Sequence, residues 1–237
     1  MPNENYTQIC FIVDRSGSMA SIANDMSGSF NSMIKEQKEL EGKATVTLAQ
    51  FDDEYQLVHD FIDIGQVEDL TIHPRNSTAL LDAIGRTMNN VRGHIVEMEP
   101  KERPSKCIFI IITDGEENSS TEYNRDTVFQ MIEDCKNDKE INYEFVFLGA
   151  NQDAIRAGNQ YGIRAAASLT YDASTNGTRL MSQSLSKSLS NYRSKASSDA
   201  EFSFSENDRE IQEKAKNKYG DRVINSGFTD LIDNDNN

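Results

Sequence analysis

Residues 8–19, QICFIVDRSGSM, carry an apolar run that gives way to a carboxylate and two hydroxyls at alternate positions, Asp14, Ser16 and Ser18. Oxygen donors of this kind suit hard divalent cations such as Mg²⁺, which bind carboxylates, hydroxyls and water. In a loop leaving a strand, alternate side chains can point the same way, so the three could converge on one ion, with Gly17 permitting the tight turn. A second carboxylate, Asp114, follows the most apolar run of the chain in CIFIIITDGEENSS. If the two runs are neighbouring strands, both carboxylates end at one edge of the sheet, where they repel unless a positive charge lies between them. A divalent ion supplies that charge, although Asp-Gly after a strand is also a plain turn pair. Thr78, in PRNSTALLDAIG, precedes a helical pattern. On position alone it reads equally as a helix N-cap or as a further oxygen ligand.

The elements that must position these residues follow from periodicity. Ile9 to Val13 form a buried strand, and Ile22, Met26, Phe30, Met33 and Ile34 give a long first helix from about Ser21 towards Leu40, closed by Gly42. Residues 44–51 and 55–62 predict an antiparallel hairpin around Asp52-Asp53-Glu54, read as a solvated turn. Leu81, Ile84, Met88, Val91 and Ile95 mark a second helix, and residues 106–113 a central strand. Ser119 with Glu122 has the pattern of a capping box before a third helix through Val128, Met131, Ile132 and Cys135. Residues 143–148 form another buried strand, Asn151 is placed to cap a short helix that Gly162 ends, and residues 163–171 read as a weak edge strand. Met181, Leu185, Leu189 and Tyr192 mark the last helix. A continuous apolar strand needs both faces covered, the habit of parallel sheets whose ligands bind beyond the strands' carboxyl ends.

The DxSxS pattern directly after a buried first strand resembles the opening of the metal-ion-dependent adhesion site of von Willebrand factor type A domains. That site is completed by a threonine and an aspartate from two later loops, and Thr78 and Asp114 stand in those places. The resemblance covers residues 5–195. It implies an α/β fold: a Rossmann-like, doubly wound, mostly parallel six-stranded sheet, order 3-2-1-4-5-6 with the third strand antiparallel, flanked by helices. It also implies that Asp14, Ser16, Ser18, Thr78 and Asp114 hold Mg²⁺ or Mn²⁺. Ser16 and Ser18 would bind directly, Thr78 in a manner that depends on conformational state, and Asp14 and Asp114 mainly through water. A protein partner's acidic side chain would complete the coordination, making the chain a binding module, an adaptor or assembly factor, and not an enzyme. Two other readings stand beside it, a Mg²⁺-dependent hydrolase or phosphatase on a related architecture and a structural subunit of a larger assembly. Against the hydrolase, Ser16 has no evident activating base, and His59, His73 and His94 lie outside the motif loops.

Composition narrows the partners. A net charge of -15 argues against the phosphate-neutralising mode of nucleic-acid binding, so no nucleic-acid partner is expected. At long range it also disfavours acidic surfaces, so the expected partner offers one acidic residue on a neutral or basic surface. No run is long enough to span a bilayer and no signal-peptide pattern opens the chain, so a cytoplasmic protein with no membrane partner is expected. The three cysteines fit buried free thiols. The division expected is a domain over residues 1–195 and a polar, acidic tail over 196–237, loosely docked, with a short helix at most.

Overall fold

The apolar run at the start of the chain can be buried on both faces only if strands flank it and helices cover it. A computed structural model of the protein describes residues 1–216 and shows this arrangement. Strand β1 (Asn3–Asp14) pairs in parallel with β2 (Lys43–Phe51) and with β4 (Pro104–Thr113), so Ile9 lies between Val46 and Ile108. All ten residues of β4 are buried, as a central strand requires. Strand β5 (Asn142–Ala150) pairs in parallel with β4 and with the short β6 (Ser168–Tyr171), while β3 (Tyr55–Asp63) runs antiparallel to β2. The six-stranded order is β3-β2-β1-β4-β5-β6, the order expected, with the third strand antiparallel.

Helix α1 (Ala23–Lys38) packs with α5 (Thr175–Ser194), and α2 (Leu80–Glu97) with α3 (Arg125–Lys136), while α4 (Ala154–Asn159) lies on β5 and β6. Phe11 meets Phe30 edge to face at 4.9 Å, joining β1 to α1. Cys10, Cys107 and Cys135 are buried free thiols. Among the described residues no helix is long and apolar enough to cross a membrane.

Several local expectations are corrected. Residues Gly17–Ser21 form a 3-10 turn, and α1 begins only at Ala23. Helix α3 is capped by Asn124, which accepts from the Thr127 N–H, and not by a box of Ser119 and Glu122. Asp153 caps α4, whereas Asn151 sits at φ 51° and accepts from the Ala173 N–H. Asp52 is fully buried, not a solvated turn residue, because two arginines close on it. The expected loose tail is packed over residues 200–212: Phe202 and Phe204 are buried and meet edge to face at 5.1 Å. There the Phe204 N–H donates to the Ala166 carbonyl, and Arg209 donates to the carbonyls of Ser168 and Ala165. The reason is local. The average composition after residue 196 is polar, but the F-S-F alternation puts two aromatic rings on one face beside a four-residue edge strand that needs covering. Residues 206–216 are helical. The remainder of the expected tail, with Tyr219 and the terminal DNDNN, lies outside the described residues.

Candidate metal centre

Asp14 is the last paired residue of β1, opposite Phe51 of β2, and is fully buried. Its two oxygens are both held. Oδ1 accepts from the Ser16 backbone N–H at 2.6 Å, and Oδ2 accepts from the Thr113 hydroxyl at 2.6 Å. The first bond curls the chain back over the strand end, which turns Ser16 Oγ towards Ser18 Oγ, 3.0 Å away. Ser18 Oγ in turn donates to Asp114 Oδ1 at 2.6 Å. Asp14, Ser16, Ser18 and Asp114 thus form one hydrogen-bonded chain across the ends of β1 and β4.

Thr78 joins this group through Gly115. A Cβ on Gly115 would lie 3.0 Å from Thr78 Oγ1 and 3.5 Å from Ser18 Oγ, so the absence of a side chain lets the three loops close together. Thr78 does not cap α2: Ala79 occupies the N-cap position and no side-chain cap bond forms there. The free N–H groups at that helix end are taken instead by Glu117, which accepts from Leu81 N–H at 2.9 Å, and by Ser120 Oγ, which accepts from Asp82 N–H at 3.1 Å. All five predicted site residues therefore stand together at the carboxyl ends of the central strands.

The loops are tied by residues that sequence reasoning passed over. Asp52 accepts from Arg15 Nε at 3.0 Å and also from Arg75 Nε, fastening the first loop to the second. Backbone bonds run alongside, from Gly17 N–H to the Asn76 carbonyl and from Ala79 N–H to the Asp52 carbonyl. The third loop is fixed to the second by Asn118, whose Oδ1 accepts from Thr78 N–H while its own N–H donates to the Thr78 carbonyl. Asp82 of α2 accepts from the N–H groups of Thr121, Glu122 and Tyr123. The Tyr123 ring fills the space over Gly85, where a Cβ would come within 2.5 Å. The available signals were faint. Arg15 sits inside the DxSxS loop, and Asp82 interrupts an apolar helical stripe with a carboxylate.

Electrostatically the centre is unbalanced. Burial raises the Asp14 carboxyl pKa to about 6, the hydrogen bonds from Thr113 and Ser16 offset only part of this, and the Asp114 charge adds to it. Asp114 is likewise raised by burial, against the Ser18 hydrogen bond. Among the described residues no cationic side chain pairs with either carboxylate. The Tyr171 hydroxyl is also buried without a hydrogen-bond partner, and burial, then the charges of Asp114 and Asp14, push its pKa well up. One buried and one half-buried carboxylate, three hydroxyls and an orphaned phenol make an all-oxygen environment that fits a hard divalent cation better than a soft one. Among the described residues no group of three or more His, Cys, Asp and Glu side chains forms a metal cage, so any ion held here relies on hydroxyls for much of its shell.

Residues 8–177 match the family model described as von Willebrand factor type A domain. Among solved structures, the chain is similar to proximal thread matrix protein 1 from the mussel byssus with a zinc-occupied MIDAS motif, at 16% identity over 78% of this chain and 46% of that one, TM-score 0.56. It is also similar to a von Willebrand factor type A protein from Catenulispora acidiphila, at 13% identity over 78% of this chain and 42% of that one, TM-score 0.51. At these identities the likeness is one of fold, and the chain spans less than half the length of either structure. No curated protein matches the chain.

Proposed function

The chain belongs to the von Willebrand factor type A domain family, and from that premise we propose that it is a metal-dependent protein-binding module. In this reading Asp14, Ser16, Ser18, Thr78 and Asp114 form a complete metal-ion-dependent adhesion site for Mg²⁺ or Mn²⁺. The observation that carries it is the pair of converging carboxylates, Asp14 and Asp114, which lack a cationic partner among the described residues while Asp52, one strand away, has two. A buried negative charge without a counter-charge is costly. A divalent cation bound there supplies the missing charge and a coordination position for an acidic side chain of the partner.

The residues divide the work. Ser16 and Ser18 present hydroxyl oxygens at the centre, and Thr78 presents a third from a loop that Asn118 holds. Asp14 has both oxygens engaged, so it contributes charge and loop shape and reaches the ion through water. Asp114, bonded to Ser18, does the same from the other strand. Because these residues would offer an ion mainly neutral hydroxyls, an ion held here would still attract an outside carboxylate.

Binding rather than turnover is the reading favoured. His94 pairs with Asp60 at 3.0 Å, and among the described residues neither it nor His59 or His73 hydrogen-bonds to a site hydroxyl, so Ser16 has no base to activate it. An adaptor or assembly role in the cytoplasm is part of the same proposal; three buried free thiols suit a reducing compartment. Equilibrium titration of chelator-stripped protein with Mg²⁺ and Mn²⁺ tests the site. Saturable binding lost in Asp14→Asn and Ser18→Ala supports the proposal, whereas identical ion binding by the wild type and Asp14→Asn overturns it. Turnover of a phosphate ester that depends on Asp14 would favour the hydrolase instead.

A further inference from the structure

A cleft of about 480 Å³ opens beside the metal centre, between the loop after β4 and the helices α3 and α4. Gly115 lines it, and the same residue lies against Thr78 Oγ1 and Ser18 Oγ, so the cleft and the centre share a wall. Leu80 and Tyr161 give it an apolar floor, and both are buried. Arg125, in the first turn of α3, and Arg156, on α4, stand exposed on its sides. Neither guanidinium has an ion-pair or hydrogen-bond partner among the described residues. Other arginines near this end are committed: Arg15 and Arg75 to Asp52, and Arg86 to Glu122. Gln152 lines the cleft too, and its Nε2 is buried with no hydrogen-bond partner.

The cleft also contains carboxylates, and their use decides its chemistry. Glu117 accepts from the N–H groups of Ser119, Ser120 and Leu81 and from the Ser120 hydroxyl. Asp153 is occupied as the cap of α4, accepting from Arg156 N–H. Glu116 is exposed. The groups left with unused capacity on the cleft walls are two guanidiniums against one exposed carboxylate, Glu116, and planar guanidiniums take carboxylates in a two-pronged fashion.

Resting on the proposed function above, we propose that this cleft receives a second acidic side chain of the same partner segment. The ligand is an acidic peptide segment with two carboxylates, one directed to the metal centre and the next held by Arg125 and Arg156, beside the buried Gln152 amide. Because the two places share the Gly115 wall, they are separated by roughly two or three residues of extended chain at about 3.3 Å each. The net charge of -15 opposes a broadly acidic partner. It is screened beyond about 8 Å at physiological salt, so the local arginines govern a short acidic segment. The single acidic residue expected from overall charge thereby becomes a pair.

The test uses the full-length chain, isotopically labelled, with Mg²⁺, and two capped glycine-serine peptides, one with a single aspartate and one with a glutamate three positions beyond it. The two-acid peptide is expected to bind about tenfold more tightly than the one-acid peptide and to shift the Gln152 side-chain amide resonance. That advantage is expected to vanish in the double variant Arg125→Ala/Arg156→Ala, whose folding is checked by thermal unfolding. Equal affinity of the two peptides for the wild type, an advantage that survives the double variant, or no Gln152 response with or without ion overturns the proposal. Repeating the titration in EDTA separates the two ideas. One-acid binding indifferent to EDTA removes the metal-dependent reading, while an arginine-dependent Gln152 shift persisting in EDTA leaves the cleft standing.

Discussion

Asp14 and the residue after its sheet partner, Asp52, stand at the same end of adjacent parallel strands, and both are fully buried. Their charges are settled in opposite ways. At Asp52 burial alone would raise the carboxyl pKa, but the Glu54 N–H and the Arg75 and Arg15 guanidiniums outweigh it and hold the group below the ordinary carboxylate value. At Asp14 burial wins, and the group is pushed up to about 6. One carboxylate is neutralised from within the chain and works as a clamp on two loops. The other is kept charged and unpaired. The difference teaches that the negative charge of the centre is not a by-product of an acidic chain, since arginines stand one strand away and are directed elsewhere.

The largest expected effect comes from breaking the compensated side. Asp52→Ala leaves Arg15 buried without its partner and releases Arg75, and it should cost about 3–5 kcal/mol, read as a drop in the denaturant midpoint. A cost under about 1 kcal/mol would show that Asp52 is no clamp. The uncompensated side should respond with the opposite sign. In metal-free protein at neutral pH, Asp14→Asn removes an ionised group whose pKa rises from 3.8 to about 6 on folding, and the variant should be more stable by up to about 3 kcal/mol.

The sign can be checked by pH. A raised folded-state pKa means that the native protein holds the Asp14 proton more tightly than the unfolded chain does. Its contribution is therefore present below pH 3.8 and is lost as pH rises through about 6. The stability gap between Asp14→Asn and wild type should widen over that window. Asp52, with its lowered pKa, behaves conversely, and its contribution is lost as pH falls through the depressed value. A gap independent of pH would contradict the account of Asp14.

Addition of Mg²⁺ or Mn²⁺ sharpens the same contrast. At 100 times its dissociation constant an ion should stabilise the wild type by about 2.7 kcal/mol, visible as a rise in Tm, with no rise in Asp14→Asn. An equal rise in both proteins would place the ion elsewhere. The smallest effect is expected at Arg75, whose side chain is 45% exposed. Arg75→Ala should lower the denaturant midpoint only slightly, because Arg15 and the Glu54 N–H still serve Asp52. A loss as large as that of Asp52→Ala would mean that Arg75, not Arg15, is the main partner.

Much of the fold was legible because strand burial is written directly into residue type. The runs around Ile9, Ile108 and Val146 admit only a covered sheet, and the order of the strands agrees with the family resemblance. Helix caps were less legible. Residues 117–124 offer several Ser, Asn and acidic side chains that can each bond a backbone N–H. The choice of Asn124 for α3 follows from Asp82 holding residues 121–123 by their N–H groups, a contact some 40 positions away in the chain. The packing of residues 200–212 was hidden for a different reason. Average polarity conceals two aromatic residues whose spacing, not number, matters.

What the sequence by itself determined is the chemistry available: an oxygen-only donor set at strand ends, a sheet to carry it, and a strongly acidic balance. Tertiary structure alone decided which of the carboxylates would be left uncompensated. Arg15 adjoins Asp14 in the chain, yet its guanidinium pairs with Asp52, 37 positions on, and Arg75 arrives at the same carboxylate from 23 positions beyond that. Coulombic pairing depends on distance through space and on burial, and neither is a property of position along the chain.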